Sequence, residues 1–194
     1  MRMENIQPKG CFVAVVGPSG AGKDTIMDGA RMALAGDARF HFVRRTVTRP
    51  QMPGTEDHDS LDEAAFAKAA GEGAFALHWR AHGLDYGLPK SLDTLIDGGT
   101  VVIANLSRRV LDDMRKLYPS RSVVVISARP EVLAERLAAR GRESREEIAL
   151  RLSREVSFDN GAGDVVIIDN SGDVVESTDA FIRHLMEIQG KTIV

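Results

Sequence analysis

The chain has 194 residues, 43% of them hydrophobic and 27% charged, with a formal net charge of −3 at neutral pH. This balance suits one globular domain with room for small inserted lobes and excludes a disordered or fibrous chain. The negative charge argues against nucleic acid as a partner, and a single cysteine, Cys11, excludes an internal disulfide and a cysteine metal site.

The first ten residues carry two basic side chains and no apolar stretch. No apolar run reaches the length of a membrane span. The expectation is therefore a cytoplasmic protein with no membrane partner. Cys11–Val16 is a continuous apolar run ending at a glycine, which reads as a strand buried on both faces of a parallel sheet. Residues 23–35 follow as a helix, with Ile26, Met27, Ala30 and Leu34 on one side. A short strand is predicted at 40–45.

The texture changes between residues 46 and 89. Pro50, Pro53 and Gly54 interrupt the pattern, 62–70 suits a short helix, and 78–89 mixes aromatic, histidine, glycine and proline residues. This stretch reads as an inserted lobe. Regular alternation then resumes, with strands at 100–104, 122–126 and 164–168. Helices are predicted at 108–117, 130–140, 145–158 and 174–188, the second opened by Pro130 at a first helical position. The pattern is α/β: a mainly parallel central sheet with helices on both faces.

Gly17, Pro18, Ser19, Gly20, Ala21, Gly22 and Lys23 lie between that first strand and its helix. Glycines there let backbone N–H groups converge on a phosphate, and the helix N-terminus adds partial positive charge. Lys23 brings a full charge to the β- and γ-phosphates of a nucleotide such as ATP. A serine or threonine usually follows that lysine and reaches Mg²⁺. Here Asp24 stands in its place, with Thr25 one step on and about 100° around the helix. A carboxylate beside a triphosphate needs a cation between them, so Asp24 is a candidate Mg²⁺ contact, direct or through water.

Phosphoryl transfer needs positioned cations more than covalent help from the protein. Arginines cluster at Arg44, Arg45 and Arg49, and again at Arg136, Arg140, Arg142, Arg145 and Arg151. Arg136 and Arg140 share a helix face, a costly pairing unless an anion is bound.

These motifs together resemble the guanylate kinase-like group of P-loop kinases. The likeness rests on residues 17–23, on Thr46-Val-Thr-Arg49-Pro, on Tyr86-Gly87, on Arg136-Leu-x-x-Arg140-Gly and on Ile148-x-x-Arg151-Leu. It spans about residues 10 to 190 as one domain. The resemblance implies an ATP-holding core at 10–45 and 90–194, an inserted acceptor lobe at 46–89 and an arginine-bearing lid at about 140–147. It also puts Asp169 and Asn170 near the adenine. Several guanine-reading features of that group are missing. Gln51 and Met52 stand where a second arginine belongs, His58-Asp-Ser where a tyrosine belongs, His78 in place of a glutamate, and Leu88 in place of a serine.

Lys23-Asp24-Thr25, Trp79-x-Ala-His82-Gly-Leu-x-Tyr86-Gly87 and Asn105-x-Ser107-Arg108 are similar to one branch, the ribose 1,5-bisphosphate phosphokinases of bacterial phosphonate breakdown. That branch implies a small sugar bisphosphate as acceptor, with ATP and Mg²⁺ as co-substrate and cofactor. Its implied acceptor contacts are Arg45, Arg49, His82, Tyr86, Asn105, Ser107 and Arg108. Its implied catalytic set is Lys23, Asp24, Arg136, Arg140, Arg142 and Arg151. A homodimer is compatible with this reading.

Overall fold

A computed structural model describes residues 10–51, 57–139 and 163–191. Five parallel strands form the central sheet: β1 (Cys11–Val16), β2 (Phe40–Phe42), β7 (Val101–Asn105), β8 (Arg121–Ser127) and β9 (Val165–Asp169). Their order is β2-β7-β1-β8-β9, so β1 lies at the centre. All six of its residues are buried, as a strand covered on both faces requires. Cys11, Val13 and Val15 pack on one side with helix α1 (Lys23–Ala33) and helix α6 (Val174–Lys191). Phe12, Ala14 and Val16 pack on the other with α3 (Leu92–Asp97) and α4 (Leu111–Leu117). Strand alternation therefore builds two cores from one segment.

A second, four-stranded sheet has the order β4-β3-β6-β5. It comprises β3 (Arg45–Val47), β4 (His58–Ser60), β5 (Phe75–Ala81) and β6 (Leu84–Pro89), with α2 (Glu63–Gly71) between β4 and β5. Asp62 caps α2, accepting from the Ala65 amide at 2.7 Å. Phe66 on that helix stacks on Phe75, with ring centroids 4.7 Å apart. Phe75 in turn leaves no room at Gly87, where a Cβ would lie 2.6 Å from its ring. The Tyr86-Gly87 pair is thus in part a packing motif. Leu77, Trp79 and Leu88 join the second core and fasten this sheet to the central one.

Three sequence expectations change. The strand foreseen at 40–45 is two: Phe42 ends its pairing with β7, and Arg45 begins pairing in the other sheet. The stretch 78–89 belongs to a β5–β6 hairpin, closed by His82 at φ 52° and Gly83 at φ 77°. The helix foreseen at 108–117 opens as a 3₁₀ turn, Arg108–Val110, before α4 begins. α3 was not foreseen, because its six residues are too few to show a helical period. The helix foreseen at 145–158 lies outside the described residues. α5 (Pro130–Ala139) begins at its proline as expected.

The edge strand β9 is held by charge as well as by pairing. Asp164, just before it, accepts from Arg121 Nε at 2.7 Å and from Arg115 Nε at 3.2 Å. Burial works against its charged form, but these guanidinium hydrogen bonds prevail and hold the carboxyl below the usual carboxylate range. A depressed native pKa gives stability that is present above the unfolded-state pKa and lost as pH falls through the folded one. Asp164→Asn should cost about 1.5–3 kcal/mol at pH 7, the worth of hydrogen bonds to charged groups. Chemical denaturation at pH 7 and again near pH 2 checks this, since the difference between wild type and variant must shrink in acid.

Candidate active site

The loop after β1 emerges at the carboxyl end of the central strand, the place where open parallel sheets bind ligands. Lys23 Nζ spans the loop and donates to the carbonyls of Gly17 and Pro18, each at 2.9 Å. Gly22 takes φ 89° and serves as the N-cap of α1, so no side chain there competes for the first amides of the helix. Ser19, Asp24 and Thr25 are exposed on this rim, while Gly20 and Ala21 are buried.

Asn170 follows β9 and is buried, with 1% of its surface exposed. Its Nδ2 donates to the Ala21 carbonyl at 2.7 Å. Its Oδ1 is buried with no hydrogen-bond partner. Arg136, on α5, likewise has a buried Nη1 without a partner. Both residues line a cleft of about 340 Å³ with Gly20, Gly22, Thr25, Ala139 and Val174. An unmatched buried acceptor and an unmatched cationic donor beside a phosphate loop suit a polar, anionic ligand. Asp169 precedes Asn170 at the end of β9. It is exposed, and its carboxylate accepts from the backbone and hydroxyl of Ser171, so it shapes the turn.

On the other side of the loop, Asn105 closes β7 and is 7% exposed. Its Nδ2 donates to Asp24 Oδ1 at 3.1 Å, across 81 residues of chain. Its carbonyl accepts from Arg45 Nη1 at 3.2 Å. Arg45 lies over the Tyr86 ring at 5.1 Å, and Tyr86 stacks on Trp79 at 5.4 Å with an 8° interplanar angle. A contact chain therefore runs from the phosphate loop through Asn105 and Arg45 into the second sheet.

The Thr46–Arg49 segment is held from two sides. Thr48 accepts from the Asp85 amide at 2.8 Å, and the buried His58 meets the Arg49 carbonyl through Nε2 at 3.1 Å. The Nε of Arg49 is buried without a partner. His58 was noted in the sequence only as a departure from the guanylate kinase pattern. Its burial and its contact with Arg49, nine residues away, give it a supporting role that the pattern around it does not announce.

The remaining expected contacts lie on a hairpin turn and a 3₁₀ turn. His82 is exposed at the hairpin turn, where its positive φ is a turn requirement. Ser107 accepts from the Arg109 amide at 3.4 Å and caps the 3₁₀ turn, and Arg108 is exposed beside it. Arg140, Arg142, Arg145, Arg151 and the lid at about 140–147 lie outside the described residues. Among the described residues there is no group of three or more His, Cys, Asp or Glu placed to hold a metal. None of their helices is long and apolar enough to cross a membrane. Cys11 is a buried core residue whose thiol pKa burial pushes up.

The chain matches the AAA domain family over residues 13–155. It is 77% identical over 191 residues to the ribose 1,5-bisphosphate phosphokinase of Brucella melitensis biotype 2 (strain ATCC 23457), covering 98% of this chain and 100% of that one. The ribose 1,5-bisphosphate phosphokinase of Methylobacterium radiotolerans is 49% identical over 176 residues, covering 91% and 97%. Guanylate kinase from Anaplasma phagocytophilum superposes with a TM-score of 0.64 over 94% of this chain and 87% of that one. At 19% identity, that likeness speaks for the fold alone. The intact phosphate loop, the central parallel sheet and 77% identity over nearly the whole chain make it a member of the ribose 1,5-bisphosphate phosphokinase family, built on a guanylate kinase-like P-loop fold.

Proposed function

We propose that this enzyme transfers the γ-phosphoryl group of ATP to the 1-phosphate of α-D-ribose 1,5-bisphosphate, giving ADP and 5-phospho-α-D-ribose 1-diphosphate. The observation that carries this reading is 77% identity, over 98% of the chain, to a phosphokinase of that name. The bond from the γ-phosphorus to its bridging oxygen breaks, and a bond to an oxygen of the acceptor 1-phosphate forms. A phosphate acceptor has a second pKa of about 6, so it is already mostly dianionic at neutral pH and needs no general base. The protein's task is to bring two anions together and to neutralise their charge.

In this reading the loop amides and Lys23 hold the β- and γ-phosphates, and Asn170 keeps the loop in shape through Ala21. Arg136 supplies positive charge from α5. Arg45 and Arg49, with Tyr86 beside them, meet the acceptor phosphates from the second sheet. Arginine forks suit that task better than point charges do. The donor set fits Mg²⁺: Asp24 offers a hard carboxylate oxygen on the loop rim, and such sites take one or two carboxylates plus substrate phosphates. Mg²⁺, when bound, offsets charge on the β- and γ-oxygens. His82, Ser107 and Arg108 complete the acceptor set carried over from the family pattern, and Arg140, Arg142 and Arg151 complete the catalytic one.

Phosphorus NMR of a mixture of enzyme, ATP, Mg²⁺ and ribose 1,5-bisphosphate should show a new diphosphate pair joined to the sugar. A parallel reaction with guanosine monophosphate should be far slower. Comparable or faster turnover of the nucleotide overturns the reading.

A further inference from the structure

P-loop nucleotide enzymes commonly hold Mg²⁺ with two protein groups: a hydroxyl just after the loop lysine, and a carboxylate at the end of a neighbouring strand. In this chain both positions are filled, with the chemistry exchanged. The position after Lys23 carries a carboxylate, Asp24. β7 is parallel to β1 and adjacent to it, with Val15 opposite Asn105, so Asn105 stands at the strand end beside the loop. That position carries a neutral amide.

The two side chains touch, with Asn105 Nδ2 donating to Asp24 Oδ1 at 3.1 Å. Asn105 is itself fixed. It is 7% exposed, sits in the β7 ladder, and its carbonyl is held by Arg45. Asp24 is exposed, on the first turn of α1. A buried, fixed amide next to an exposed carboxylate sets the direction of that carboxylate. It occupies one lone-pair direction of Oδ1 and adds no charge.

We infer that Asn105 is the positioning residue for Asp24, and that the pair is an exchanged form of the usual cation site, with the carboxylate on the loop and the amide on the strand. The site then keeps one negative charge, as a hydroxyl–carboxylate pair would. Asn105 is also the residue through which the acceptor side, via Arg45, touches the cation side. This inference rests on the proposed kinase reading, and it gives Asn105 a role toward ATP and Mg²⁺ instead of direct acceptor binding.

The test restores the usual arrangement by swapping the two side chains. Asn and Asp are nearly isosteric, so Asp24→Asn, and Asp24→Asn combined with Asn105→Asp, should leave the packing intact. Thermal unfolding of both variants confirms that they fold. The readout is ATP affinity by calorimetry, with Mg²⁺ and with a chelator in its place. Asp24→Asn should lose at least tenfold of the tightening that Mg²⁺ confers, and the swapped double variant should recover to within about threefold of wild type. A double variant as weak as Asp24→Asn, or an Asp24→Asn variant with undiminished Mg²⁺ dependence, overturns the inference. Asn105→Ala supplies a second measurement: it should weaken Mg²⁺-dependent ATP binding while leaving binding in chelator unchanged, and equal loss in both conditions overturns the positioning role. Product formation by the wild-type enzyme is a separate result. If it is observed while the swap fails, the inference about Asn105 falls and the assignment of the reaction stands.

Discussion

Lys23→Met should lower kcat by about 10²–10³-fold, in the range for loss of one preorganised donor facing developing charge. That corresponds to about 3–4 kcal/mol of transition-state stabilisation. Lys23 donates at 2.9 Å to both Gly17 and Pro18 carbonyls, so the ammonium sits centrally over the loop. In the proposed reaction the same ammonium meets the β- and γ-phosphates, where charge builds as the phosphoryl group moves. Methionine keeps the length and packing of the stem and removes only the charge and its donors. Fold stability should therefore change little, and ATP affinity less than kcat. Lys23→Arg should recover only part of the rate, because a planar fork cannot take the place of a compact ammonium between two carbonyls. Steady-state rates with saturating ATP, read beside calorimetric ATP affinity, separate these effects. A Lys23→Met rate within tenfold of wild type would mean that the loop lysine is not where the transferred charge is stabilised.

Gly22→Ala should disrupt both the fold and the phosphate loop. Gly22 sits at φ 89°, a left-handed conformation, and an added Cβ would lie 2.3 Å from Asn170 Nδ2. The backbone conformation costs a non-glycine residue about 1–2 kcal/mol. Moving Asn170 also breaks its hydrogen bond to Ala21 and leaves a buried carbonyl unmatched, a further cost of about 1–3 kcal/mol. At about 2–4 °C per kcal/mol for a chain of this size, the melting temperature should fall by roughly 5–20 °C. ATP affinity should fall at least tenfold, because the loop amides lose their shape. The two costs can be separated with Asn170→Ala. In the double variant the clash is gone and the Ala21 hydrogen bond is lost only once, so its total loss should be smaller than the sum of the two single-variant losses. Strict additivity would mean that Asn170 does not read the conformation at Gly22.

The same residues show how far the sequence reached. Cys11–Val16 is apolar at every position, short, valine-rich and stopped by a glycine, which suits a strand covered on both faces, so β1 and its parallel neighbours could be foreseen. The phosphate loop was legible because its signal is local: glycines, a lysine and a helix start lie within seven residues. The second sheet was recognised as an interruption but not as a sheet. Its strands are three to seven residues long, too short for a clear period, and its pairing of β3 with both β4 and β6 is non-local. The helix expected at 62–70, by contrast, falls within one residue of α2, where Asp62 supplies a local cap. His82 shows the limit of a motif: it proposes the residue for the acceptor set, while the exposed turn that carries it, at positive φ, comes only from the fold.

What the sequence determined by itself is the chemistry that depends on neighbours along the chain: a buried central strand, a loop shaped for phosphate, a lysine over it, and a carboxylate where a hydroxyl is usual. What only the tertiary structure decided is which distant groups meet that loop. Asn170 reaches Ala21 across 149 residues, and Asn105 reaches Asp24 across 81. Both amides stand at the carboxyl ends of strands that flank β1, directly or one strand removed. Their spacing in the chain carries no trace of this, because the order of strands in a parallel sheet is set by how crossovers pack and not by order in sequence. Asp24 was visible from the start as an exception. The fixed amide that meets its carboxylate, and that is proposed to position it, exists only in the folded chain.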